Sequence, residues 1–354
     1  MNTLPSRKTE LPWLNLLFCA MVLWSHCSAH PITHLDRSSW QYALVYLLQR
    51  LSYVSVYGFF LLSGLKLTLP RTHQPSLGQY YWGRVKSIFL PYVLAVGLYY
   101  LWFTLYLEYF PPSLSDFGGY LVRGNLSSHF YFVVALAQFV LLAPLFRWAS
   151  ERLSPALTLP LALGVTWLSA LYLPFFLSLV RPGLDFPYTD RTFTTYLFYY
   201  LAGCYIGRRY EDFLAALKRN RAFVLGTFLL FSAADVGLCW LNFTGRRSVP
   251  CLEQVHFLYL ISAIPACFLL AACLPKTMPR WLQKVDKASY LIYLYHCLVI
   301  SWFNFRADQL GGGRVAVLFV LRLLFVYTAT PLVCVLWQTL RSALAARLSL
   351  VRRK

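Results

Sequence analysis

The 354 residues are 58% hydrophobic and only 13% charged, with a mean hydropathy of +0.54, a balance outside that of soluble globular domains. Lys and Arg number 32 against 13 Asp and Glu, giving a net charge of +19. These cations lie between apolar runs rather than on one solvated face, which sets nucleic acid aside as a partner. The nine cysteines include no Cys-x-x-Cys pair and mostly fall in apolar segments, where a thiol behaves as a small hydrophobe.

A hydrocarbon core about 30 Å thick needs about 20 consecutive apolar residues per helix. Ten such runs occur near residues 11 to 29, 43 to 65, 88 to 108, 129 to 146, 157 to 180, 192 to 207, 222 to 242, 254 to 273, 288 to 305 and 315 to 337. The sixth, TFTTYLFYYLAGCYIG, is short. The connections are too short to bury cores of their own, so residues 1–354 are expected to form a single domain, an all-α integral membrane bundle of about ten transmembrane helices. No internal repeat is detectable, which removes the usual pointer to a secondary transporter.

The first run (11 to 29), within the stretch LPWLNLLFCAMVLWSHCSAHPITH of residues 11–34, follows Arg7 and Lys8 and ends on Ser28 and Ala29, so it imitates a secretory signal peptide. It is nearly long enough to span, and Trp24, His26 and Cys27 fit poorly at a cleavage site, so it is read as a retained helix. With its N-terminus in the cytoplasm, 22 of the 32 cations fall on the inner side and nine on the outer side, with Arg322 inside a span. Positive residues favour the cytoplasmic side. Both termini are therefore expected inside, as an even number of spans requires.

A histidine within a membrane-length segment is a functional candidate. His26 lies roughly 22 Å from the cytoplasmic end of its run at 1.5 Å per residue. With His30 and His34 it has the i, i+4, i+8 spacing of one helix face, which suggests a metal site. Pro31 opposes this, because it pushes the preceding residue out of the helical region; the helix is expected to end near His30 with His34 pointing elsewhere, and no metal is expected. Asp235, in LLFSAADVGLCW, and Arg322, in the last run, fall at roughly 21 and 20 Å on the same arithmetic. They pair with each other for structure, or Arg322 snorkels outward, or they line the cavity of His26. His296, in KASYLIYLYHCLVI, falls only about 12 Å deep. That depth argues against direct pairing with His26, and a neighbouring hydrogen bond would satisfy it.

Lys66, Arg84 and Lys86 flank the second and third runs on the cytoplasmic side. Positive-inside bias accounts for such residues without a ligand, yet Ser63 and Gly64 allow close backbone approach and guanidinium groups suit phosphate. An anionic cytosolic ligand would fit there. The abundant aromatics, such as Trp40, Tyr42, Tyr80, Tyr81, Trp82, Tyr99 and Tyr100, are assigned in good part to interfacial belts.

Several stretches together resemble the acyltransferase 3 family of multi-pass membrane acyltransferases, which acylate hydroxyls of surface polysaccharides, peptidoglycan and related glycans. The first run resembles the family's opening helix ending in its essential histidine, here His26. FFLLSGLKL (59–67) matches its Phe-Phe-x-x-Ser-Gly signature, and YYWGRVKSIFLPYV (80–93) is similar to its basic segment before a Pro-Tyr helix start. SHFYFVVALAQFVLLAPLF (128–146), YYLAGCYIG (199–207) and ASYLIYLYHCLVI (288–300) are similar to its fourth-span, aromatic-Gly and Ser-x-x-Ile-Tyr-x-x-His segments. The chain departs from the pattern at Asn15, where many members carry an arginine, at Ser87, where many have a second arginine after the one kept as Arg84, and at Tyr131, where a tryptophan is usual. These departures resemble a divergent branch similar to the polysaccharide-intercellular-adhesin modifying type.

The resemblance implies transfer of an acyl group, expected to be acetyl, from cytosolic acyl-CoA to a hydroxyl of a cell-surface or exported glycan. His26 would be the catalytic base or transient acyl acceptor, with Asp235, Arg322, His296 and Asn15 as possible cavity partners. Ser63, Gly64, Lys66, Arg84 and Lys86 would bind acyl-CoA (acetyl-CoA), a co-substrate rather than a bound cofactor. The partners implied are the lipid bilayer, the acyl donor and the glycan acceptor, at a bacterial plasma membrane. A transporter or flippase for a lipid-linked glycan, with no acyl transfer, is the alternative.

Overall fold

The structure is a computed structural model that describes residues 8–70, 74–183, 186–245 and 248–351. Several cations of the charge pattern, Arg7, Arg71, Arg246, Arg247, Arg352, Arg353 and Lys354, lie outside the described residues. Among those described, every regular element is a helix. In chain order they are α1 (Glu10–Cys27), α2 (Ala29–His34), α3 (Trp40–Ser52), α4 (Val54–Thr68), α5 (Leu77–Arg84), α6 (Leu90–Leu101), α7 (Leu114–Arg123), α8 (Tyr131–Leu141), α9 (Ala143–Arg152), α10 (Pro155–Val180), α11 (Leu197–Arg208), α12 (Tyr210–Arg219), α13 (Arg221–Phe243), α14 (Leu252–Cys273), α15 (Arg280–Gln309) and α16 (Val315–Val351).

Among the described residues, seven stretches of helix are long and apolar enough to cross a membrane: Glu10–His34, Trp40–Thr68, Leu77–Tyr106, Pro155–Val180, Arg221–Phe243, Leu252–Cys273 and Val315–Ala345. The pair α8 and α9, bent by 59°, makes an eighth if counted as one span. The difference from the ten expected runs has local causes. The run at 192 to 207 supplies only the 12-residue α11, preceded by two short 3-10 turns. The run at 288 to 305 lies inside the 30-residue α15, whose ends carry Arg280, Lys284, Asp286, Lys287, Arg306 and Asp308. The third span contains π turns at Val85–Phe89 and Trp102–Tyr106. At the first of these Leu90 N–H bonds the Val85 carbonyl, next to Pro91, whose ring nitrogen cannot continue the ordinary ladder.

The chain divides into two compact units, Met1–Lys8 with Val56–Leu270, and Thr9–Ser55 with Ala271–Lys354. In the first, α4 and α11 approach closely enough to exclude side chains at three glycines. A Cβ on Gly64 would lie 2.0 Å from the Tyr200 carbonyl oxygen, one on Gly203 2.0 Å from that of Leu61, and one on Gly207 2.4 Å from that of Leu65. Thr68 Oγ1 donates to the Cys204 carbonyl at 2.7 Å across this contact. In a bilayer, where apolar burial drives helix association only weakly, such small-residue contacts and interhelical hydrogen bonds carry the packing. An aromatic core adjoins it: Phe60 stacks on Tyr196 at 4.2 Å and Phe139 on Tyr200 at 4.2 Å. Tyr99, an expected belt residue, is instead fully buried against Phe130.

In the second unit α1 and α16 both pack along α15, and α3 packs beside α1. The α1 helix ends at Cys27, and after Ser28 the chain re-enters a helix with Pro31 in the first turn of α2, where a missing N–H costs little. The break therefore falls before His30 rather than at it, and His34 does not point away: its ring stacks on that of His30 at 4.0 Å.

Candidate active site

Asn15 and His26 lie on α1, and each meets a residue of α15. Asn15 Nδ2 donates to Asp286 Oδ1 at 2.7 Å and to Ser289 Oγ at 2.8 Å. Three turns further along the same pair of helices, the His26 and His296 rings lie with centroids 4.9 Å apart at an interplanar angle of 56°. His296 is not shallower than His26, contrary to the expectation from sequence, because α15 starts at Arg280 and not near residue 288. His296 is then sixteen residues from the start of α15, as His26 is from Glu10 at the start of α1. Both sit about 24 Å along their helices at 1.5 Å per residue.

The end of α1 that carries His26 is held by three side chains that donate to backbone carbonyls of its last turn, where the intrahelical ladder runs out. Ser28 Oγ donates to Trp24 O at 2.7 Å, Gln49 Nε2 of α3 to Ser25 O at 3.0 Å, and Arg322 Nη1 of α16 to Cys27 O at 3.3 Å. Arg322 is only 2% exposed; its Nε also donates to Asn304 Oδ1 at 2.8 Å, and its guanidinium lies over the Phe303 ring at 5.8 Å. A cation at a helix C-terminus is favoured by the helix dipole. Arg322 thus acts on the backbone next to His26.

The tautomer of His296 follows from its partners. Its Nδ1 lies 2.7 Å from the Tyr293 carbonyl oxygen, which can only accept, so Nδ1 carries the proton and Nε2 presents a lone pair. Cys297 Sγ lies 3.2 Å from that Nε2. The donor atoms of His26, His296 and Cys297 all fall within 4.8 Å of one another. Among the described residues these three could hold a metal ion, a set different from the His26, His30, His34 face considered from spacing.

Asp235 belongs to the other unit. It is fully buried, and its Oδ2 lies 2.8 Å from Nδ1 of His256 on α14. His256 went unread in the sequence although it meets the criterion that singled out His26, an ionisable residue inside an apolar run. Cys297, Asp286 and Asn304 also went unread as site residues, because a neutral or helix-end side chain gives no such signal.

The remaining candidates are in the unit of Asp235. Ser63 Oγ donates within its own helix to Phe59 O at 2.8 Å, and Gly64 is filled by the backbone of α11, so its close approach serves a helix. Lys66 is exposed. The Arg84 guanidinium lies over Tyr80 at 5.1 Å and the Lys86 ammonium over Trp82 at 4.9 Å. Tyr80 lines a cavity of about 170 Å³ together with Arg147, whose guanidinium donates to Gln74 Oε1 at 2.9 Å and Leu67 O at 3.1 Å.

A family model described as an acyltransferase domain matches residues 10–337. "Putative membrane-bound acyltransferase YfiQ" of Bacillus subtilis is 29% identical over 220 residues, covering 60% of this chain and 59% of that protein. "Probable poly-beta-1,6-N-acetyl-D-glucosamine export protein" of Staphylococcus epidermidis is 24% identical over 306 residues, covering 83% of this chain and 81% of the relative. The protein of the same name from Staphylococcus aureus is 23% identical over 309 residues, covering 83% of each. No solved structure matches.

Proposed function

This chain belongs to the acyltransferase 3 family and is a multi-pass membrane acyltransferase, and on that premise we propose that it moves an acyl group, acetyl in the simplest case, from cytosolic acyl-CoA to a hydroxyl of a cell-surface or exported glycan. The observation that carries the reading is the meeting of His26 and His296, an imidazole pair on two of the six segments by which the sequence resembles the family. The His26 imidazole takes the proton of the acceptor hydroxyl as its oxygen attacks the acyl carbon, and returns that proton to the leaving thiolate. Arg322 and Gln49 position His26 by holding the carbonyls around it. Lys66, Arg84 and Lys86 bind the phosphates of the donor, with Arg147 as a further cation beside Tyr80. Both chain termini face the cytoplasm of a bacterial plasma membrane in this reading.

The experiment is transfer of label from [¹⁴C]acetyl-CoA to oligosaccharides of poly-β-1,6-N-acetyl-D-glucosamine by the protein in nanodiscs. Labelled, alkali-labile glycan with release of free CoA supports the reading. The export proteins among the relatives favour a second one, translocation of a lipid-linked or polymeric glycan. Glycan movement across proteoliposomes without consumption of acetyl-CoA would establish it instead.

A further inference from the structure

We propose that Cys297 carries the acyl group as a thioester between donor and acceptor, with His296 as the base that activates its thiol. The inference rests on the acyl-transfer reading and adds a covalent intermediate to it. Three observations carry it. His296 Nδ1 is bound to the Tyr293 carbonyl at 2.7 Å, which leaves Nε2 as the acceptor. Cys297 Sγ stands 3.2 Å from that nitrogen, so its S–H donates to it. This is the order nucleophile, base and orienting group that activates a thiol. Third, His26 is close enough for the donor atoms of all three side chains to fall within 4.8 Å, so a second base stands beside the first.

The chemistry balances. As Sγ attacks the carbonyl carbon of acyl-CoA, its proton moves to His296 Nε2; the new C–Sγ bond forms and the bond to the CoA sulfur breaks. The departing thiolate takes the proton from Nε2 and leaves as CoA–SH. One thioester replaces another, so the step neither gains nor loses a reactive bond. In the second half the acceptor hydroxyl gives its proton to His26, its oxygen bonds to the acyl carbon, and the C–Sγ bond breaks. The thiolate recovers the proton from His26, and the product is an ester. Such a relay lets CoA leave before the glycan binds. His296 is wholly buried whereas Cys297 is half-buried, which keeps bulk water from the base while leaving the sulfur reachable.

The test is to incubate the full-length protein in nanodiscs with [¹⁴C]acetyl-CoA and EDTA, without acceptor, while free CoA is followed with a thiol reagent. The expected result is about one equivalent of label on the protein, stable to acid, released by neutral hydroxylamine and mapped to Cys297. Cys297→Ala removes the label and slows transfer by about 10²-fold or more. Cys297→Ser, close in volume, keeps the same thermal stability and gives no label that neutral hydroxylamine releases. His26→Gln takes up label but holds it when oligosaccharide acceptor is added. Label on another residue, or Cys297→Ala transferring at the wild-type rate, overturns the intermediate while leaving acyl transfer standing. Wild-type protein that releases no CoA at all, with or without acceptor, overturns the intermediate and the acyl-transfer reading together.

Discussion

His26 and His296 face each other across two helices, ring centroids 4.9 Å apart, and the lone pair of His296 Nε2 is set by the hydrogen bond from Nδ1 to Tyr293. If His26 is the base for the acceptor, His26→Ala should lower transfer by about 10²- to 10⁴-fold, the range general-base assistance supplies. The rate is read with labelled acetyl-CoA in nanodiscs, and thermal unfolding checks that the variant is folded. A folded His26→Ala protein with full activity would remove His26 from the mechanism.

Arg322 is a positioning residue, and its variants should separate folding from rate. Arg322→Met leaves the buried Cys27 carbonyl without this donor, a loss of about 1–3 kcal/mol, and takes the donor from the part-buried Asn304 Oδ1 as well. Arg322→Lys keeps the charge but not the fork, so it should recover only part of that loss. The expected pattern is a lowered melting temperature in both, larger for Met, with kcat falling more than KM rises.

Asn15 offers a test by charge. Its amide donates to Asp286 and Ser289, so Asn15→Asp sets two carboxylates against each other and should destabilise the contact between α1 and α15. Asn15→Arg supplies the side chain that many family members have and should pair with Asp286. Thermal melts of the two variants should move in opposite directions, and a matched shift would show that Asp286 does not sense charge at position 15.

The contact of α4 with α11 tolerates no side chain at Gly64 or Gly203, where a Cβ would fall 2.0 Å from a backbone oxygen. Gly64→Val or Gly203→Val should force the helices apart at a cost of about 1–3 kcal/mol or more. The yield of monodisperse protein in detergent and its melting temperature are the readouts. Gly78→Val, at an open position, is the control and should leave both unchanged.

Metal dependence separates the two chemistries open to the His26, His296, Cys297 cluster. The proposed mechanism uses bare imidazole and thiol, so EDTA should leave transfer unchanged. Added Zn²⁺ should inhibit, because a His₂Cys set within 4.8 Å suits that ion. Loss of activity on chelation, restored by zinc, would make the cluster a metal centre.

Much of this was readable from the chain. Apolar runs of membrane length announced a helical membrane protein, and an ionisable side chain inside such a run has too high a cost to be incidental, which is why His26, Asp235, Arg322 and His296 stood out. His256 satisfies the same criterion, and it is the partner of Asp235. Helix starts were the weak link. Placing the start of α15 near residue 288 rather than at Arg280 shifted His296 by eight residues, about 12 Å of helix, enough to hide its neighbour.

The sequence alone determined the helical class, the membrane setting and the side chains able to do chemistry, since these depend on hydropathy, length and residue type. Only the tertiary structure decided who meets whom. It placed His296 and Cys297 beside His26, gave Asp235 to His256, set Arg322 on the end of α1 and made Gly64 a seat for the α11 backbone. Those pairings depend on how far each helix extends and which face it turns inward. Packing between helices fixes both, and no single apolar run contains that information.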